Sequence, residues 1–195
     1  MLNDDIRMID LPKIVLASGS PRRAEILNSV GWAFTKELPD VDETEFAGED
    51  PAKYVQRLAK TKAEVIARRN PDQIVLGADT TVVINGQIIG KPLDLADARR
   101  MLRLLAGNWH EVLTGVAIAA NGNIETGVQQ TRVKFADMTN DELNFLAEMG
   151  DPLDKAGAYA VQAQAALFIE GIEGDYWNVV GLPVSLVYRM VTSLK

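Results

Sequence analysis

Cysteine is absent from this chain of 195 residues, and histidine occurs only once, as His110. The lack of thiols excludes a disulfide framework, a thiolate nucleophile and a cysteine-based metal site. A single histidine excludes a metal site built from several histidines, and any Ser-His-Asp triad would have to use this one residue. Because no obvious catalytic partner lies near His110 in the sequence, we interpret it as structural.

Long apolar runs are missing as well. No stretch approaches the roughly 20 apolar residues that a membrane-spanning helix requires. Residues 1–10 carry scattered charges instead of the apolar core of a signal peptide. We therefore expect no membrane association and a cytoplasmic location.

Positive charge is scarce, with 20 Lys and Arg residues against 27 Asp and Glu residues and a net charge of −7. Broad nucleic-acid binding relies on a basic surface, so this balance argues against nucleic acid as a partner. An anionic ligand would need locally concentrated cations, and a metal ion that bridges it to acidic side chains is a further option.

Hydrophobic residues make up 47% of the chain, which is ample for a core, and the length fits a single domain over residues 1–195. Strands are predicted over residues 13–17, 32–38, 73–78, 82–84, 87–89, 110–119, 124–135 and 167–170, with a turn at 171–174. Helices are predicted over 20–30, 50–69, 94–107 and 139–149, followed by a final helix that ends near residue 195. Because hairpins interrupt the alternation of strands and helices, the pattern predicts an α/β fold with a mixed sheet. Residues 1–12 are predicted to be a loose arm.

Two arginines at a predicted helix start are the most unusual local feature. Ser20 suits the N-cap and Pro21 the first helical position. Arg22 and Arg23 then occupy the first turn, where the helix dipole disfavours cations. Backbone N–H groups, the hydroxyls of Ser18 and Ser20 and two guanidinium groups could together hold a polyphosphate. Solvated surface charge is the alternative that the local pattern leaves open.

Three further residues could complete such a site. Lys62 lies on the apolar stripe of its predicted helix, so its ammonium either reaches the edge of the core or points into a cavity. Asp79 follows a buried apolar strand, and ligands of open α/β sheets bind at the carboxyl ends of strands. A hairpin at Asn85-Gly86 would return Lys91 to the neighbourhood of Asp79.

An acidic segment, residues 39–50, precedes the second predicted helix. Its carboxylates belong to Asp40, Asp42, Glu43, Glu45, Glu49 and Asp50. The local pattern favours a solvated loop for most of them, and the alternative is that one or two bind a metal at the anion site. Cations, hydroxyls and a strand-end carboxylate suit phosphate-ester or phosphoanhydride chemistry, with Asp79 as general base directly or through Mg²⁺. The sequence has no P-loop.

Five segments, in order, carry the signature of one family. They are residues 16–27 (Leu-Ala-Ser-Gly-Ser-Pro-Arg-Arg-Ala-Glu-Ile-Leu), 77–80 (Gly-Ala-Asp-Thr), 90–92 (Gly-Lys-Pro), 154–159 (Asp-Lys-Ala-Gly-Ala-Tyr) and 174–183, which begins Gly-Asp-Tyr and ends Asn-Val-Val-Gly-Leu-Pro. The chain thereby resembles the Maf family of nucleoside triphosphate pyrophosphatases from about residue 14 to residue 183. This resemblance implies an α/β fold with an elongated mixed sheet, flanking helices and a central cleft, related to the inosine triphosphate pyrophosphatases. It also implies a homodimer.

The resemblance further implies hydrolysis of a nucleoside triphosphate to the monophosphate and pyrophosphate with a divalent cation, Mg²⁺ or Mn²⁺. Asp79 would be the proton acceptor, and the substrate-binding residues would be Ser18, Arg23, Lys62, Lys91 and Glu43. Glu43 and Asp79 would hold the metal. The branch of the family that acts on dTTP and UTP is the most similar, and its selectivity would depend on Arg22, Thr80 and Gln162.

Two other functions stay open at this stage. The substrate could be a modified or methylated nucleotide such as 7-methyl-GTP, or the protein could be a non-catalytic regulator of cell division or shape. One departure from the family pattern bears on the first alternative. Ala163-Gln164-Ala165 stands where the family usually has Gly-x-Gly, and because alanine disfavours positive φ we expect the local backbone to differ.

Overall fold

The computed structural model of the protein describes residue 9 and residues 11–194, so the predicted arm, residues 1–12, lies almost entirely outside the described residues. The strands are β1 (Ile14–Ala17), β2 (Phe34–Glu37), β3 (Ile74–Ile84), β4 (Gln87–Ile89), β5 (Trp109–Ala120), β6 (Asn123–Phe135) and β7 (Ile169–Glu173). The α-helices are α1 (Pro21–Ser29), α2 (Pro51–Ala67), α3 (Leu95–Leu105), α4 (Asn140–Met149), α5 (Tyr176–Val180) and α6 (Val184–Thr192). Short 3₁₀ helices occupy Pro152–Asp154, Ala156–Ala158 and Gln164–Phe168.

The strands form one mixed sheet in the order β2-β1-β3-β5-β6-β7, with β4 paired to β3. β1 is parallel to both β2 and β3, whereas β3, β5, β6 and β7 are successively antiparallel. The hairpin turn at Asn85-Gly86 has positive φ at both residues, as a type I′ turn requires. The predicted mixed α/β sheet is therefore confirmed.

The helices divide between the two faces of the sheet, as the alternation along β3 shows. Val75 packs with α2, whereas Leu76, Ala78 and Val82 join the larger cluster that includes α1 and α3 to α6. Adjacent residues of a strand point to opposite faces. Asp79 consequently lies on the α2 face and Thr80 on the other.

Two glycines allow α2 to pack unusually close to the sheet. A Cβ atom on Gly77 would lie 2.2 Å from the carbonyl oxygen of Ala59, and one on Gly115 would lie 2.2 Å from that of Val55. Gly115 is also the cross-strand partner of Asp79. The same close contact that requires these glycines therefore brings the α2 side chains to Asp79.

Helix starts are largely as predicted, because they depend on local capping. The side chain of Asp50 accepts hydrogen bonds from the first turn of α2, and Asp94 does so for α3. Thr139 and Glu142 form a complete capping box at α4.

The C-terminal third of the chain departs more from the predictions. Residues 167 and 168 belong to a 3₁₀ helix, and residues 171–173, predicted as a turn, belong to β7. Short β7 is fixed by pairing with β6, a long-range contact that local sequence does not reveal. The five-residue helix α5 was not predicted. In residues 11–194, no helix combines the length and the apolar character needed to cross a membrane.

His110 has the buried environment of a structural residue. It is 2% exposed, its Nε2 lies 2.7 Å from the hydroxyl oxygen of Tyr159, and its ring packs edge-on against Phe135 and Tyr159. Burial lowers the pKa of His110 to about 4. The imidazole is therefore neutral near pH 7 in the folded protein.

The depressed pKa of His110 predicts acid-sensitive stability. Between the unfolded pKa of 6.5 and the folded value of about 4, the unfolded chain binds more protons, so the folded state loses stability as the pH falls. From pH 7 to pH 5 this group should cost the parent protein about 2 kcal/mol of unfolding free energy. Urea unfolding of the parent and His110→Gln at both pH values checks this. The variant should lose less on acidification, and equal losses would contradict the prediction.

Candidate active site

A notch in one edge of β3 creates the cleft. β1 pairs with β3 only as far as Gly77, and β4 begins to pair at Val82, while β5 covers the other edge from Val75 to Val83. Within the described chain, residues 78–81 therefore lack a strand neighbour at the first edge. The notch opens at the carboxyl end of β1, the end at which open α/β sheets bind ligands.

This arrangement refines the predicted position of Asp79. The sequence predicted Asp79 at the end of a strand covering residues 73–78, but β3 continues to Ile84 because residues 79–83 pair with β5. Asp79 is thus a mid-strand residue at the end of the β1 pairing. The notch exposes it as a strand end would.

A cavity of about 530 Å³ fills the notch, a size typical of small-molecule sites. All the residues predicted for the site line it, namely Ser18, Arg22, Arg23, Glu43, Lys62, Asp79, Thr80, Lys91 and Gln162. These residues come from α1, α2, β3 and four connecting segments. The predicted central cleft is therefore confirmed, although the role of each residue is a separate question.

Arg23 is buried where β1, β3 and the end of α5 meet. It donates hydrogen bonds from Nη1 to Ser18 Oγ (2.9 Å), from Nη2 to Thr80 Oγ1 (3.1 Å) and from Nε to the carbonyl oxygen of Gly181 (2.9 Å). A guanidinium has five N–H donors, so these three bonds leave one N–H on each Nη atom for an anion. The guanidinium is fixed in advance by groups from three parts of the chain.

Among the described residues, no side chain caps the first-turn N–H groups of α1. Ser20 is the N-cap, as predicted, but its side chain makes no capping hydrogen bond. Instead, Ser18 Oγ accepts from the backbone N–H of Ser20 at 3.2 Å. The first-turn N–H groups are therefore not covered by a side chain and are available to an anion.

Lys62 joins two carboxylates in the cleft. Its side chain is 8% exposed, and Nζ lies 2.7 Å from Asp79 Oδ1 and 2.6 Å from Glu43 Oε1. The helical pattern left two positions open for the Lys62 ammonium. It points into the cavity, and the alternative position at the edge of the core is wrong. Glu43 is also the member of the acidic segment that reaches the cleft.

The pKa values of the two carboxyl groups are shifted in opposite directions. Burial raises the pKa of Asp79 above its ordinary value, although the charges of Lys62 and Arg23 oppose the change. Burial acts in the same sense on Glu43, but hydrogen bonding and charge from Lys62, with the charges of Lys91 and Arg23, hold its pKa below the ordinary value. Paired acids whose pKa values diverge are typical of acid–base sites. Asp79 is the better proton acceptor, because its pKa is moved towards neutrality.

The three residues predicted for selectivity have different surroundings. Arg22 donates to the carboxylate of Asp154 at 2.9 Å and to its carbonyl oxygen at 3.2 Å. These bonds link α1 to residues 152–158, which contain the first two 3₁₀ helices and are called the 3₁₀ segment. Thr80 Oγ1 is engaged by Arg23, by Thr114 Oγ1 at 2.9 Å and by the carbonyl of Gly181. Gln162 is exposed in a turn, and its side chain makes no hydrogen bond within the described residues.

Several cavity residues had no predicted role. Lys155 is 9% exposed, and its Nζ binds Asp154 Oδ1 at 2.6 Å and also binds Asp151. Its signal was the Asp-Lys-Ala-Gly-Ala-Tyr motif itself. Tyr54 lies eight residues before Lys62 on α2, about two helical turns, so both side chains project from the same side of the helix. Burial, with the charges of Asp79 and Glu43, raises the pKa of Tyr54 to about 12.

The donor chemistry of Glu43 and Asp79 bears on whether they could hold a metal ion. Among the described residues, no three carboxylate, imidazole or thiolate side chains come together. Mg²⁺ commonly takes one or two protein carboxylates and completes its shell with phosphate oxygens and water. The two carboxylates of Glu43 and Asp79 at one cavity fit that pattern.

The comparisons with known proteins agree with this geometry. A family model described as Maf-like protein matches residues 13–194. The chain belongs to the Maf family.

Similar family members carry the name dTTP/UTP pyrophosphatase. The one from Symbiobacterium thermophilum is 45% identical over 182 residues, which is 93% of this chain and 94% of that relative. The one from Koribacter versatilis is 46% identical over 178 residues, covering 91% and 92% of the two chains. The one from Bacillus anthracis is 46% identical over 183 residues, with 94% of each chain covered.

A solved structure has a similar overall fold. The Staphylococcus aureus Ham1 protein matches with a TM-score of 0.56 and 16% identity, covering 94% of this chain and 100% of that one. This likeness concerns the fold alone. With the mixed sheet and its flanking helices, it confirms the predicted fold class.

The departure from the Maf pattern at Ala163-Gln164-Ala165 needs no strained alanine. Ala163 has φ −118°, and Ala165 does not have positive φ. The left-handed residues of this region are Gly157 (φ 69°) and Ala158 (φ 64°). A Cβ on Gly157 would lie 2.8 Å from Val82 Cγ2, so the 3₁₀ segment packs closely on β3 beside the notch.

Proposed function

We propose that this Maf protein hydrolyses dTTP and UTP to the nucleoside monophosphate and pyrophosphate. The observation that carries the hydrolysis is the group formed by Lys62 between Asp79 and Glu43, with the buried Arg23 beside it in the same cavity. The choice of dTTP and UTP rests on the name of the relatives that are 45–46% identical. Fixed cations and a carboxylate of raised pKa suit phosphoanhydride hydrolysis, in which an enzyme mainly positions the substrate, neutralises charge and orients water.

The protein groups have separable tasks in this reaction. The start of α1, Ser18, Arg23 and Lys91 hold the triphosphate oxygens. The oxygen of a water molecule forms a bond to the α-phosphorus while the α–β phosphoanhydride bond breaks. Asp79 accepts a proton from that water molecule. Lys62 opposes the rise in the pKa of Asp79 and offsets the negative charge of the phosphates. Pyrophosphate is the leaving group.

A divalent cation, Mg²⁺ or Mn²⁺, would be held by Glu43 and Asp79 together with the substrate. It would supply charge neutralisation on the phosphates and a lower pKa for bound water. The remaining expectations from the sequence, a homodimer, a single domain over residues 1–195 and a cytoplasmic location, stay predictions. Light scattering of the purified protein checks the first.

The selectivity residues are proposed to act in two ways. Gln162, exposed at the cavity, contacts the nucleobase directly. Thr80 acts through Arg23, since its hydroxyl is already bonded to the guanidinium. Arg22 positions the 3₁₀ segment that leads to Gln162, through its two bonds to Asp154.

Pyrophosphate release over a panel of nucleotides tests the proposal. The panel contains dTTP, UTP, dCTP, ATP, dGTP and 7-methyl-GTP, each with Mg²⁺ or Mn²⁺. We expect kcat/KM for dTTP and UTP to exceed the others by about 10- to 100-fold, the range that differential contacts to one group supply. Preferred cleavage of 7-methyl-GTP would favour the modified-nucleotide alternative. Cleavage of none of them by folded, metal-supplied protein would contradict enzymatic function.

A further inference from the structure

The segment that carries Glu43 has no regular structure of its own. Residues 38–50 connect β2 to α2 without a strand or helix. Nevertheless, Glu43 Oε1 lies 2.6 Å from Lys62 Nζ. An irregular segment can hold a carboxylate in one place only if other contacts offset its conformational entropy.

Arg57 makes an unusually complete set of such contacts. Its Nε and Nη2 donate to Glu49 Oε1 and Oε2 at 2.7 and 2.6 Å, and Nη2 also donates to the carbonyl oxygen of Thr44 at 3.1 Å. Its guanidinium lies 4.0 Å from the ring centre of Phe46. Paired donors to one carboxylate require a guanidinium, and arginine stacks on aromatic rings more often than lysine does.

These contacts bracket Glu43. Thr44 is its neighbour in the chain, and Tyr54, one turn before Arg57 on α2, donates its hydroxyl to the carbonyl oxygen of Glu43 at 3.2 Å. Lys62 on the same helix holds the carboxylate. Glu49, which closes the segment, is nearly buried, with 10% of its side chain exposed.

We infer that Arg57 is a positioning residue that holds Glu43 in the cleft by clamping residues 44–49 onto α2. Arg57 does not line the cavity, so it acts through Glu43 and not by touching the substrate. The kinetic part of this inference rests on the proposed pyrophosphatase function. The structural part, the attachment of the segment, does not.

The test compares Arg57→Gln with a matched control, Arg99→Gln. Arg99 also joins two elements, by donating to Asn144 Oδ1 and Glu148 Oε1 at 2.8 Å each, but it links α3 to α4. Hydrogen exchange of amides 41–49 is measured in both variants, together with kcat/KM for dTTP. We expect Arg57→Gln to speed this exchange and to lower kcat/KM by about tenfold, the scale of a small misplacement of a catalytic group. Arg99→Gln should change neither.

A double-mutant cycle with Glu43→Gln separates positioning from general stability. If Arg57 acts through Glu43, Arg57→Gln should lower kcat/KM by less than about twofold in the Glu43→Gln background. The slower Glu43→Gln enzyme is assayed at higher protein concentration. An undiminished tenfold loss in that background would overturn the inference.

One further variant and one activity-independent readout keep the test decisive. Glu49→Gln breaks the same clamp from the loop side and should reproduce the effects of Arg57→Gln, which keeps the test informative if the latter folds poorly. Unchanged exchange of amides 41–49 in both variants would overturn the clamp. If the parent protein cleaves no nucleotide, the proposed function fails, whereas the exchange comparison still decides whether Arg57 holds the segment.

Discussion

Asp79→Asn should lower kcat for dTTP hydrolysis by about 10³-fold, the middle of the range for loss of a general base. Asparagine keeps the shape of the side chain and an oxygen that can accept from Lys62, but it cannot take a proton from water. KM should change little, because the triphosphate contacts of Arg23 and Lys91 are retained. Initial rates of pyrophosphate release over a range of dTTP concentrations measure both constants.

The folding of this variant must be shown to be intact. Lys62 keeps Glu43 as a counterion at 2.6 Å, so the free energy of unfolding should fall by no more than about 2 kcal/mol. Asp97→Asn is the control: Asp97 accepts from the backbone N–H of Leu93 and from Arg100, outside the cavity. It should retain full activity. If Asp79→Asn kept more than about a tenth of the parent kcat, Asp79 would not be the proton acceptor.

Lys62→Met should impair both catalysis and stability. Methionine fills much of the same space but leaves the buried carboxylate of Asp79 and the carboxylate of Glu43 without the ammonium between them. Removing one partner of a buried ion pair costs about 3 kcal/mol of unfolding free energy. We also expect kcat/KM to fall by about 10³-fold, the scale for loss of a fixed charge that faces the reacting phosphates. Lys60→Met, an exposed position on the same helix, is the control.

The stability loss of Lys62→Met should depend on pH in a defined direction. Burial already raises the pKa of Asp79 in the folded protein, and the charge of Lys62 opposes that rise. Without Lys62 the folded pKa moves higher still. The folded state then binds a proton more tightly than the unfolded chain, so its stability falls as the pH rises from the unfolded pKa to the folded one.

The loss of Lys62 also affects Glu43, and this too makes the stability loss of Lys62→Met larger at higher pH. In the parent protein Lys62 holds the pKa of Glu43 below its ordinary value, which stabilises the fold above the unfolded pKa and is lost in the variant. The difference in unfolding free energy between parent and Lys62→Met should therefore be larger at pH 7.5 than at pH 5. Urea titrations of parent, Lys62→Met and Lys60→Met at both values measure it. A difference independent of pH would show that the loss comes from packing.

Local signals in the chain were sufficient for most elements. Asp50, Asp94 and Thr139 mark helix starts because each side chain accepts a hydrogen bond from a backbone N–H a few residues away. Asn85-Gly86 marks a hairpin, and Ser20 marks the start of α1 although its side chain makes no capping bond. Where long-range pairing decided the outcome, prediction was weaker. β3 extends through Asp79 because β5 lies beside it, and β7 exists because β6 does.

The site residues show the same division. The family resemblance indicated which side chains to consider, and all of them line one cavity. Local pattern alone favoured a solvated loop around Glu43, and it could not choose between two positions for Lys62. The contact between Glu43 and Lys62 depends on how closely α2 packs on Gly77 and Gly115.

The sequence by itself determined the residue types and the local caps and turns, whereas pairing with β5 extends β3 through Asp79 and Thr80 and so puts them on opposite faces. Only the tertiary structure decided that β1 and β4 leave a gap along one edge of that strand, so that both residues reach a single cavity. The physical reason is range. Capping and alternation act through neighbouring residues, whereas the gap, the Lys62 contacts and the Arg57 clamp depend on packing between segments distant in the chain.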